Sequence, residues 1–309
     1  MPSCDEKIEF NPATDIPSLT GKTILVTGAN AGLGYQSVHD LAKHQPAHII
    51  MAARSIAKAE EATRKLRETI PGLNTQFTPL PMDLSSLASV HAAAVALVTS
   101  FPDFTLDILI LNAGIMMHPP SVTADGYELQ MATNHLGHAL LTKLLLPSLL
   151  RSPDPRVVVV SSDLLSSAPK GGIIFPALKT PQAEISDRAR YGQSKLANAL
   201  YARALARHYP KLTVAATHPG VYATGLQDKM AEGSIVIRGL RATVGGWLMK
   251  DPSEGTRNQL WAATAKQGVV SGEYYVPVGE VGKAKMVRDD KLTQELWRWT
   301  EEQLRVWET

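Results

Sequence analysis

A tyrosine and a lysine stand four residues apart in the segment YGQSK, residues 191–195. The segment lies in a helical pattern, so Tyr191 and Lys195 project from the same face. An ammonium group beside a phenol favours the ionised phenol, and such a pair is suited to acid–base chemistry. This spacing also occurs often by chance, so the pair alone does not establish a site.

Two further polar residues could complete a site with this pair. Ser162 closes the fifth predicted strand, at the carboxyl edge where open α/β sheets bind ligands. Asn134 lies inside a long predicted helix. Each also has an ordinary explanation, since Ser162 could simply begin a turn and Asn134 could be a polar residue that bends its helix.

A glycine-rich segment, TGANAGLG at residues 27–34, joins a short apolar run to an amphipathic one. Its glycines let the backbone turn sharply and let a pyrophosphate approach the free N–H groups of a helix N-terminus. Such a turn can also bind nothing, but the strand before it, the helix after it and a second strand at His48–Ala52 favour dinucleotide binding. The expected cofactor contacts in this turn are Gly28, Asn30, Gly32, Leu33 and Gly34.

The end of the second strand indicates which dinucleotide is bound. An acidic residue there would hold the adenosine ribose hydroxyls, whereas an arginine suits a 2′-phosphate. Ala52 and Ala53 leave the acidic place empty, Arg54 follows, and Lys58 is one helical turn on. These residues favour NADP(H) over NAD(H), the alternative being an arginine that is merely solvated.

Small and polar residues follow the third and fourth predicted strands. Asp83 could cap a helix beginning at Ser85, and the same carboxylate could meet the adenine edge. The small residues after the fourth strand allow a ligand to approach the backbone closely, and Asn112 can bridge neighbouring strands. The expected cofactor contacts here are Asp83, Leu84, Asn112, Ala113 and Gly114.

Apolar bursts and helical runs alternate along the chain, which predicts a parallel sheet covered on both faces. The predicted fold is a single doubly wound α/β domain over residues 19–309, preceded by an extension of residues 1–18 that lies on the surface or is partly disordered. The predicted strands are Thr23–Thr27, His48–Ala52, Thr75–Leu80, Leu106–Leu111, Arg156–Ser161, Leu212–Thr217 and Glu273–Val276. The predicted helices are Gly32–Lys43, Ile56–Ile70, Leu87–Phe101, Tyr127–Leu150, Ala189–His208, Pro252–Lys266 and Asp290–Trp307.

Composition excludes several classes of function. A net charge of +2, without a dense cluster of Lys and Arg, argues against a nucleic-acid surface. One cysteine, Cys4, rules out an internal disulfide, and no stretch reaches the ~18 apolar residues of a spanning helix. The first residues do not form a signal peptide, so we expect a cytoplasmic protein without a membrane span. His135 and His138 are one turn apart without a credible third ligand, so no metal site is expected.

Taken together, these motifs resemble the short-chain dehydrogenase/reductase family, and their order implies a Rossmann-type fold. The long stretch between Ser162 and Tyr191, with AAR after the second strand, is similar to the retinol dehydrogenase and WW-domain oxidoreductase branch. Leu111 stands where the family often has the first Asn of NNAG, which affects strand packing more than chemistry. The resemblance is carried by TGANAGLG, Asp83, the NAG at 112–114, Asn134, Ser162, YGQSK, Pro219, Gly220 and Thr224.

The resemblance implies a role for each residue. Tyr191 would protonate a carbonyl oxygen as hydride arrives, or act as base in the reverse direction, while Ser162 would hydrogen-bond the substrate oxygen. Lys195 would lower the pKa of the phenol and hold the nicotinamide ribose, and Asn134 would organise a water that relays protons. Thr224 would reach the nicotinamide carboxamide, next to the cofactor-contacting turn of Pro219 and Gly220.

The implied shift in the pKa of Tyr191 sets a condition on the site. Work near pH 7 needs a fall of about 3 units from the free phenol value, or roughly 4 kcal/mol. An ammonium ~4 Å away supplies ~4 kcal/mol only at an effective dielectric near 20. Lys195 can therefore act only in a site partly shielded from water.

The substrate is expected to be a small alcohol or carbonyl compound of apolar or aromatic character. A segment of about residues 225–250 could form a lid that excludes water, or could be ordinary core packing. His218 is expected to be structural. The residues that could line the pocket are Met116, Met117, His118, Leu164 and Leu165.

Assembly and rival functions stay open at this point. The helices Tyr127–Leu150 and Ala189–His208 form the usual dimer face in the family, so a homodimer or homotetramer is plausible. The helix from Asp290 could pack on the lid or against another subunit. One rival function is a biosynthetic cyclisation, dehydration or epimerisation on the same fold, and the other is a non-catalytic dinucleotide sensor.

Overall fold

The apolar runs of the sequence form one central sheet in the structure, a computed structural model that describes residues 8–220 and 252–307. Its order is β3-β2-β1-β4-β5-β6-β7-β8, with every neighbouring pair parallel except β7 and β8. The strands are β1 Thr23–Thr27, β2 His48–Ala53, β3 Gln76–Pro81, β4 Ile108–Leu111, β5 Arg156–Val160, β6 Thr213–Thr217, β7 Tyr274–Val276 and β8 Glu280–Val281.

The strand order reverses between β1 and β4, and the carboxyl ends of the strands meet at one edge. Thr27 lies level with Ala52, Ala53 with Pro81, and Val160 with Thr217. The residues that follow these strands are therefore brought together, at the kind of switch point where such sheets bind ligands.

Helices cover both faces of the sheet, which confirms the predicted doubly wound fold. Alternate residues of each strand point to opposite faces. Leu25, Leu109 and Val157 pack on one face, and Ile24, Ile108 and Val158 pack on the other. The helices of the described residues are α1 Pro12–Asp15, α2 Gly32–Ala42, α3 Ile56–Thr69, α4 Leu87–Ser100, α5 Leu129–Met131, α6 Gly137–Arg151, α7 Asp187–His208, α8 Pro252–Gly255, α9 Arg257–Thr264 and α10 Asp290–Leu304.

Several helices begin or divide differently from the prediction. The long helix predicted from Tyr127 begins at Leu129 and contains a π-helical turn, Ala132–Leu136, before α6. The helix predicted over Pro252–Lys266 is divided into α8 and α9.

The predicted cap at Asp83 is wrong. Helix α4 begins at Leu87, as its apolar pattern predicts, and not at Ser85 as a cap at Asp83 would require. Its N-cap is Ser86, which accepts from the N–H of Ser89 at 3.2 Å. Asp83 instead closes the preceding turn, accepting from the N–H of Ser85 at 2.9 Å. The hydroxyl of Ser86 stands one residue before the helix, which is where capping requires it.

The described part of the N-terminal extension packs against the domain. Phe10 and Ile16 are buried and belong to the core that also contains Trp261 of α9. Asn11 caps the short helix α1, accepting from the N–H of Ala13 at 3.0 Å. These buried apolar residues hold residues 8–18 against the core of the domain.

Helix α10 lies over α6 and α7 within the same chain. Thr300 Oγ1 and His135 Nε2 are 2.9 Å apart, and Lys143 pairs with Glu301 at 2.6 Å. The Trp297 ring stacks on His208 with centroids 4.2 Å apart. The chain's own C-terminal helix therefore covers part of the helix pair expected to form a dimer face, chiefly α7.

None of the helices among residues 8–220 and 252–307 is long and apolar enough to cross a membrane. The segment expected to form a lid, about residues 225–250, lies outside the described residues, as does Thr224.

Candidate active site

Helix α7 is fastened to the carboxyl end of β5, which brings its polar residues to the edge of the sheet. The ammonium of Lys195 donates to the carbonyl oxygen of Val160 at 2.9 Å, and the hydroxyl of Ser161 donates to the carbonyl oxygen of Lys195 at 2.7 Å. Asn198, one turn further, donates to the same Val160 oxygen at 3.1 Å. These bonds fix Lys195 beside the strand end that carries Ser162.

The predicted quartet is brought together in the structure. The Ser162 hydroxyl lies near enough to the Tyr191 phenol to lower its pKa by hydrogen bonding, and the Lys195 ammonium lies 5.8 Å from the centre of the Tyr191 ring. All three side chains are buried. Asn134 joins them through Ser194, since its amide donates to the Ser194 hydroxyl at 2.9 Å.

Burial moves the two titrating groups in opposite directions. It raises the pKa of Tyr191 to about 12, against a smaller opposite effect of the Ser162 hydrogen bond. It lowers the pKa of Lys195 to about 8. The expected fall in the phenol pKa is thus not found in the chain alone, because desolvation of the phenolate outweighs the groups that would stabilise it. At neutral pH Tyr191 is a protonated donor and Lys195 is mostly charged.

Asn134 occupies the π-helical turn, and its side chain joins two other elements. Its amide oxygen accepts from the N–H of Ile115 at 2.8 Å, and its amide nitrogen donates to the Ile115 carbonyl at 2.9 Å. Single π turns of this kind are often found at functional sites. Asn134 thereby holds the segment after β4 against α7, while its water-organising role stays a prediction.

A buried histidine that the sequence reasoning regarded only as a possible metal ligand supports this arrangement. The Thr27 hydroxyl accepts from the N–H groups of Asn112 and Ala113, at 2.9 and 3.0 Å, so its own hydrogen points to His138 Nε2 at 2.9 Å. His138 Nδ1 then donates to the Asn134 carbonyl at 3.0 Å. Burial lowers the pKa of His138 to about 3, so the ring is neutral.

The end of β4 has the strand bridge predicted for Asn112. The Asn112 amide donates to the Thr27 carbonyl at 2.9 Å and so bridges β4 and β1. A methyl group on Gly114 would lie 3.1 Å from Asn134 Oδ1 and 3.4 Å from Lys195 Nζ. Glycine is thus needed where β4 meets the polar quartet.

The glycine turn fits a dinucleotide pyrophosphate. Gly28 and Gly32 have φ of +67° and +54°, in the left-handed region that favours glycine. A methyl group on Gly34 would collide with the Gly28 carbonyl, so the turn closes tightly. Ala31 precedes α2 without a side-chain cap, which leaves the helix N-terminus to a ligand. Asn30 and Leu33 are half-buried in the same turn.

The residues expected at the adenosine end lie along the adjoining strand ends. The N–H of Gly28 donates to the Ala52 carbonyl at 2.8 Å, and the exposed Arg54 follows two residues later. Asp83 is half-buried at the next strand end, and Leu84 is buried. On the other side of the switch point, Pro219 and Gly220 follow β6 at the same edge.

Arg190 is a buried arginine that was not singled out from the sequence. It joins the segments on the side of the site where the substrate is expected to bind. The Arg190 guanidinium donates to the carbonyl oxygens of His118, Gln182 and Ile185, at 3.1, 2.9 and 2.6 Å. It thereby ties the loop that carries Met116, and the long stretch before Tyr191, to the start of α7. Its position beside Tyr191 in the sequence is the one signal that could have drawn attention to it.

The described residues contain no group of three or more His, Cys, Asp or Glu side chains that could hold a metal ion. The polar residues at the strand edge are instead a phenol, an ammonium, a hydroxyl and an amide. These groups can donate protons and hydrogen bonds to an oxygen of a bound substrate.

This chain is similar in sequence and in fold to known proteins. The profile of the family described as short chain dehydrogenase matches residues 22–234. The short-chain dehydrogenase/reductase drtF of Aspergillus calidoustus is 40% identical, over 94% of this chain and 96% of that protein. Retinol dehydrogenase 14 of Mus musculus is 37% identical, over 90% of this chain and 84% of that protein. A solved structure from Mycobacterium paratuberculosis, 31% identical, has a TM-score of 0.75 and covers 96% of this chain and 98% of its own.

Proposed function

This chain belongs to the short-chain dehydrogenase family, and we propose that it is an NADP(H)-dependent oxidoreductase that interconverts an alcohol with its aldehyde or ketone. The observation that carries the proposal is that Ser162, Tyr191 and Lys195 are buried together at the carboxyl edge of the sheet, with the ammonium 5.8 Å from the centre of the Tyr191 ring. In the retinol dehydrogenase branch, which the comparisons support, such a site is expected to perform redox chemistry on a carbinol carbon.

The cofactor would be held by the glycine turn of residues 28–34, by the N-terminus of α2 and by the ends of β2, β3, β4 and β6. When bound, a nicotinamide cofactor supplies or accepts a hydride. Lys195 would hold the nicotinamide ribose, while its burial and its bond to Val160 keep the ammonium in one place.

In the reducing direction, Tyr191 gives its proton to the carbonyl oxygen of the substrate. A phenol with a pKa raised to about 12 is fully protonated at neutral pH and is ready to donate. The oxyanion that develops becomes more basic than the phenol, so the proton moves toward it as the carbonyl is reduced. The hydroxyl of Ser162 donates a hydrogen bond to the same oxygen and keeps it in line with Tyr191.

In the oxidising direction, Tyr191 must first lose its proton. The Lys195 ammonium stabilises the phenolate in a site from which water is largely excluded, and a positive charge on an oxidised cofactor acts in the same sense. Since the chain alone holds this phenol protonated, the reducing direction needs less rearrangement of charge.

The preference for NADP(H) is supported by Arg54. Buried Ala52 and Ala53 leave no carboxylate for the ribose hydroxyls at the end of β2, and the exposed guanidinium stands next to them. A planar guanidinium is well matched to a phosphate.

The substrate is an apolar or aromatic small molecule. This is supported by the name of a relative, retinol dehydrogenase 14, which refers to an apolar alcohol, and by the methionines after β4. A sugar would need more hydrogen-bonding side chains than these residues offer.

The test is turnover of a panel of aldehydes, ketones and alcohols with both cofactors, followed at 340 nm. We expect NADPH to be consumed in step with carbonyl reduction, and the rate to fall by at least 100-fold in Tyr191→Phe while NADPH binding persists. A product formed without net change in absorbance would favour the biosynthetic alternative. Cellular function that survives Tyr191→Phe would favour the sensor.

A further inference from the structure

Three polar side chains from three neighbouring strand ends meet beside the proposed site. The Asp163 carboxylate, one residue after Ser162, accepts from the Tyr274 hydroxyl at 2.9 Å through Oδ1. Its other oxygen, Oδ2, lies 3.1 Å from His218 Nε2. The N–H of Asp163 donates to His218 Nδ1 at 3.3 Å. One carboxylate thus joins the residues that follow β5 and β6 to the first residue of β7.

The hydrogen-bond pattern assigns the tautomer of His218. Nδ1 accepts from the backbone N–H of Asp163, so the proton of the neutral ring is on Nε2 and faces the carboxylate. Burial lowers the pKa of this imidazole, although the Asp163 carboxylate acts in the opposite direction. Tyr274 is also protonated, since burial and then the Asp163 carboxylate raise the pKa of its phenol. Tyr274 therefore donates to Asp163, and the Nε2 proton of His218 lies next to the same carboxylate.

The cluster acts on Ser162 through a short 3₁₀ turn, Asp163–Ser167. The Ser162 hydroxyl oxygen accepts from the N–H of Leu164 in this turn at 3.2 Å. The Ser162 hydroxyl hydrogen is still available to donate, and a hydrogen bond from it to Tyr191 lowers the pKa of the phenol. The conformation of the turn decides where that hydrogen points.

The same turn is packed directly on the helix that carries Tyr191. A methyl group on Gly192 would lie 2.6 Å from the Leu164 carbonyl oxygen and 2.7 Å from the Ala168 nitrogen. The turn and α7 are in close contact, so a shift of Asp163 changes the separation of Ser162 and Tyr191.

We propose that Asp163, His218 and Tyr274 form a positioning cluster that fixes Ser162 against Tyr191 for proton transfer. The proposal rests on the proposed function, since it assigns these residues a part in the same reaction. None of the three needs to touch the substrate. Loosening the cluster would lower the rate of the chemical step more than it weakens cofactor binding, because most residues expected to hold the cofactor lie at the glycine turn and at the ends of β2, β3 and β4.

Tyr274→Phe tests the cluster with the smallest change, because it removes one hydroxyl and keeps the ring. Its matched control is Tyr275→Phe, next in the chain but on the opposite face of the sheet, where the hydroxyl accepts from the N–H of Val270 at 2.7 Å. Losing a hydrogen bond to a charged group is expected to lower kcat about tenfold in Tyr274→Phe. We expect the KM for NADPH to stay within about twofold, and Tyr275→Phe to retain the parental kcat.

Asp163 offers a second, graded test. Asp163→Ala removes both acceptors, so we expect a larger fall in kcat than in Tyr274→Phe. Asp163→Asn keeps one acceptor and should recover part of that rate, which a loss of folded protein would not explain. Equal kcat in Tyr274→Phe and Tyr275→Phe, or a loss that follows the KM for NADPH, would overturn the positioning role.

The outcome is separable from that of the proposed function. If the parent protein reduced none of the carbonyl compounds, the redox assignment would fail, and the cluster would still be tested in the resting protein. We expect ¹⁵N spectra of labelled histidine to show the Nε2–H tautomer of His218, and crystals of Tyr274→Phe to show a longer distance between the Ser162 and Tyr191 hydroxyl oxygens than crystals of the parent protein. An unchanged Ser162–Tyr191 distance in that variant would refute the cluster.

Discussion

At the scale of single residues, one physical cause explains the opposite behaviour of Tyr191 and Lys195. Both side chains are almost fully buried, and burial disfavours whichever form is charged. The phenol therefore keeps its proton more strongly, and the ammonium loses its proton more easily. Tyr191 therefore holds a proton that it can donate, and the pKa of the Lys195 ammonium lies close to neutral pH.

The buried lysine makes stability depend on pH. Because burial lowers the pKa of Lys195 from 10.5 to about 8, the unfolded state binds more protons than the folded state between these values. Stability must therefore rise with pH across this window, and the full contribution is about 3 kcal/mol. Above pH ~10 Tyr191 acts in the opposite sense, because unfolded tyrosines ionise first.

We predict that the free energy of unfolding of the parent protein, measured by denaturant without cofactor, rises relative to that of Lys195→Met from pH 8 to 10. The methionine variant has no titrating group there and serves as the reference. Parallel curves for the two proteins would show that Lys195 has an ordinary pKa.

A single residue, Arg54, is also expected to determine the preference for NADPH over NADH. We predict that Arg54→Ala raises the KM for NADPH at least tenfold and leaves that for NADH almost unchanged, because only NADPH carries a 2′-phosphate. Arg64→Ala is the matched control, since Arg64 is an exposed arginine on α3 that pairs with Glu68. Equal effects of Arg54→Ala on both cofactors would refute the assignment.

At the scale of elements, strands β1 to β7 and the longer helices could be predicted from periodicity, because most of the buried strands are continuous apolar runs. The short helix α1 and strand β8 were not predicted, since neither has an apolar run. The π-helical turn at Asn134 could not, since nothing in the local pattern distinguishes it from an α-helix. The same is true of Arg190 and of the cluster around Asp163. Their hydrogen bonds join residues far apart in the chain, and such contacts leave no periodic signal.

The contact between α7 and the 3₁₀ turn before it explains one glycine of the YGQSK segment. We predict that Gly192→Ala destabilises the protein by about 1–3 kcal/mol, the usual cost of overpacking, and also lowers kcat because the turn carries Ser162. Thermal unfolding and steady-state kinetics measure the two effects. A variant with the parental Tm and kcat would show that the turn can move to accommodate the added methyl group.

At the scale of the whole molecule, the C-terminal helix determines which surfaces are free. Nearly every residue of α7 from Arg190 to Leu205 is buried within the single chain. Leu296 and Leu304 of α10 are fully buried. A second subunit would have to displace α10 to reach the helix pair that the family resemblance offered for dimerisation.

We therefore predict a monomer in solution, in place of the homodimer or homotetramer expected from the resemblance. Light scattering at micromolar concentration should give the mass of one chain. A dimer whose crystal structure shows α7 of each copy in the interface would contradict this, because it would require α10 to leave its place.

The central claim is that one edge of the sheet holds both the cofactor and the Tyr191 proton donor. A crystal structure with bound NADPH tests it most directly. We predict that the pyrophosphate lies on the N-terminus of α2 and that the nicotinamide ring lies next to the Tyr191 hydroxyl. A nicotinamide ring far from that hydroxyl, or a glycine turn left empty at saturating NADPH, would contradict the account.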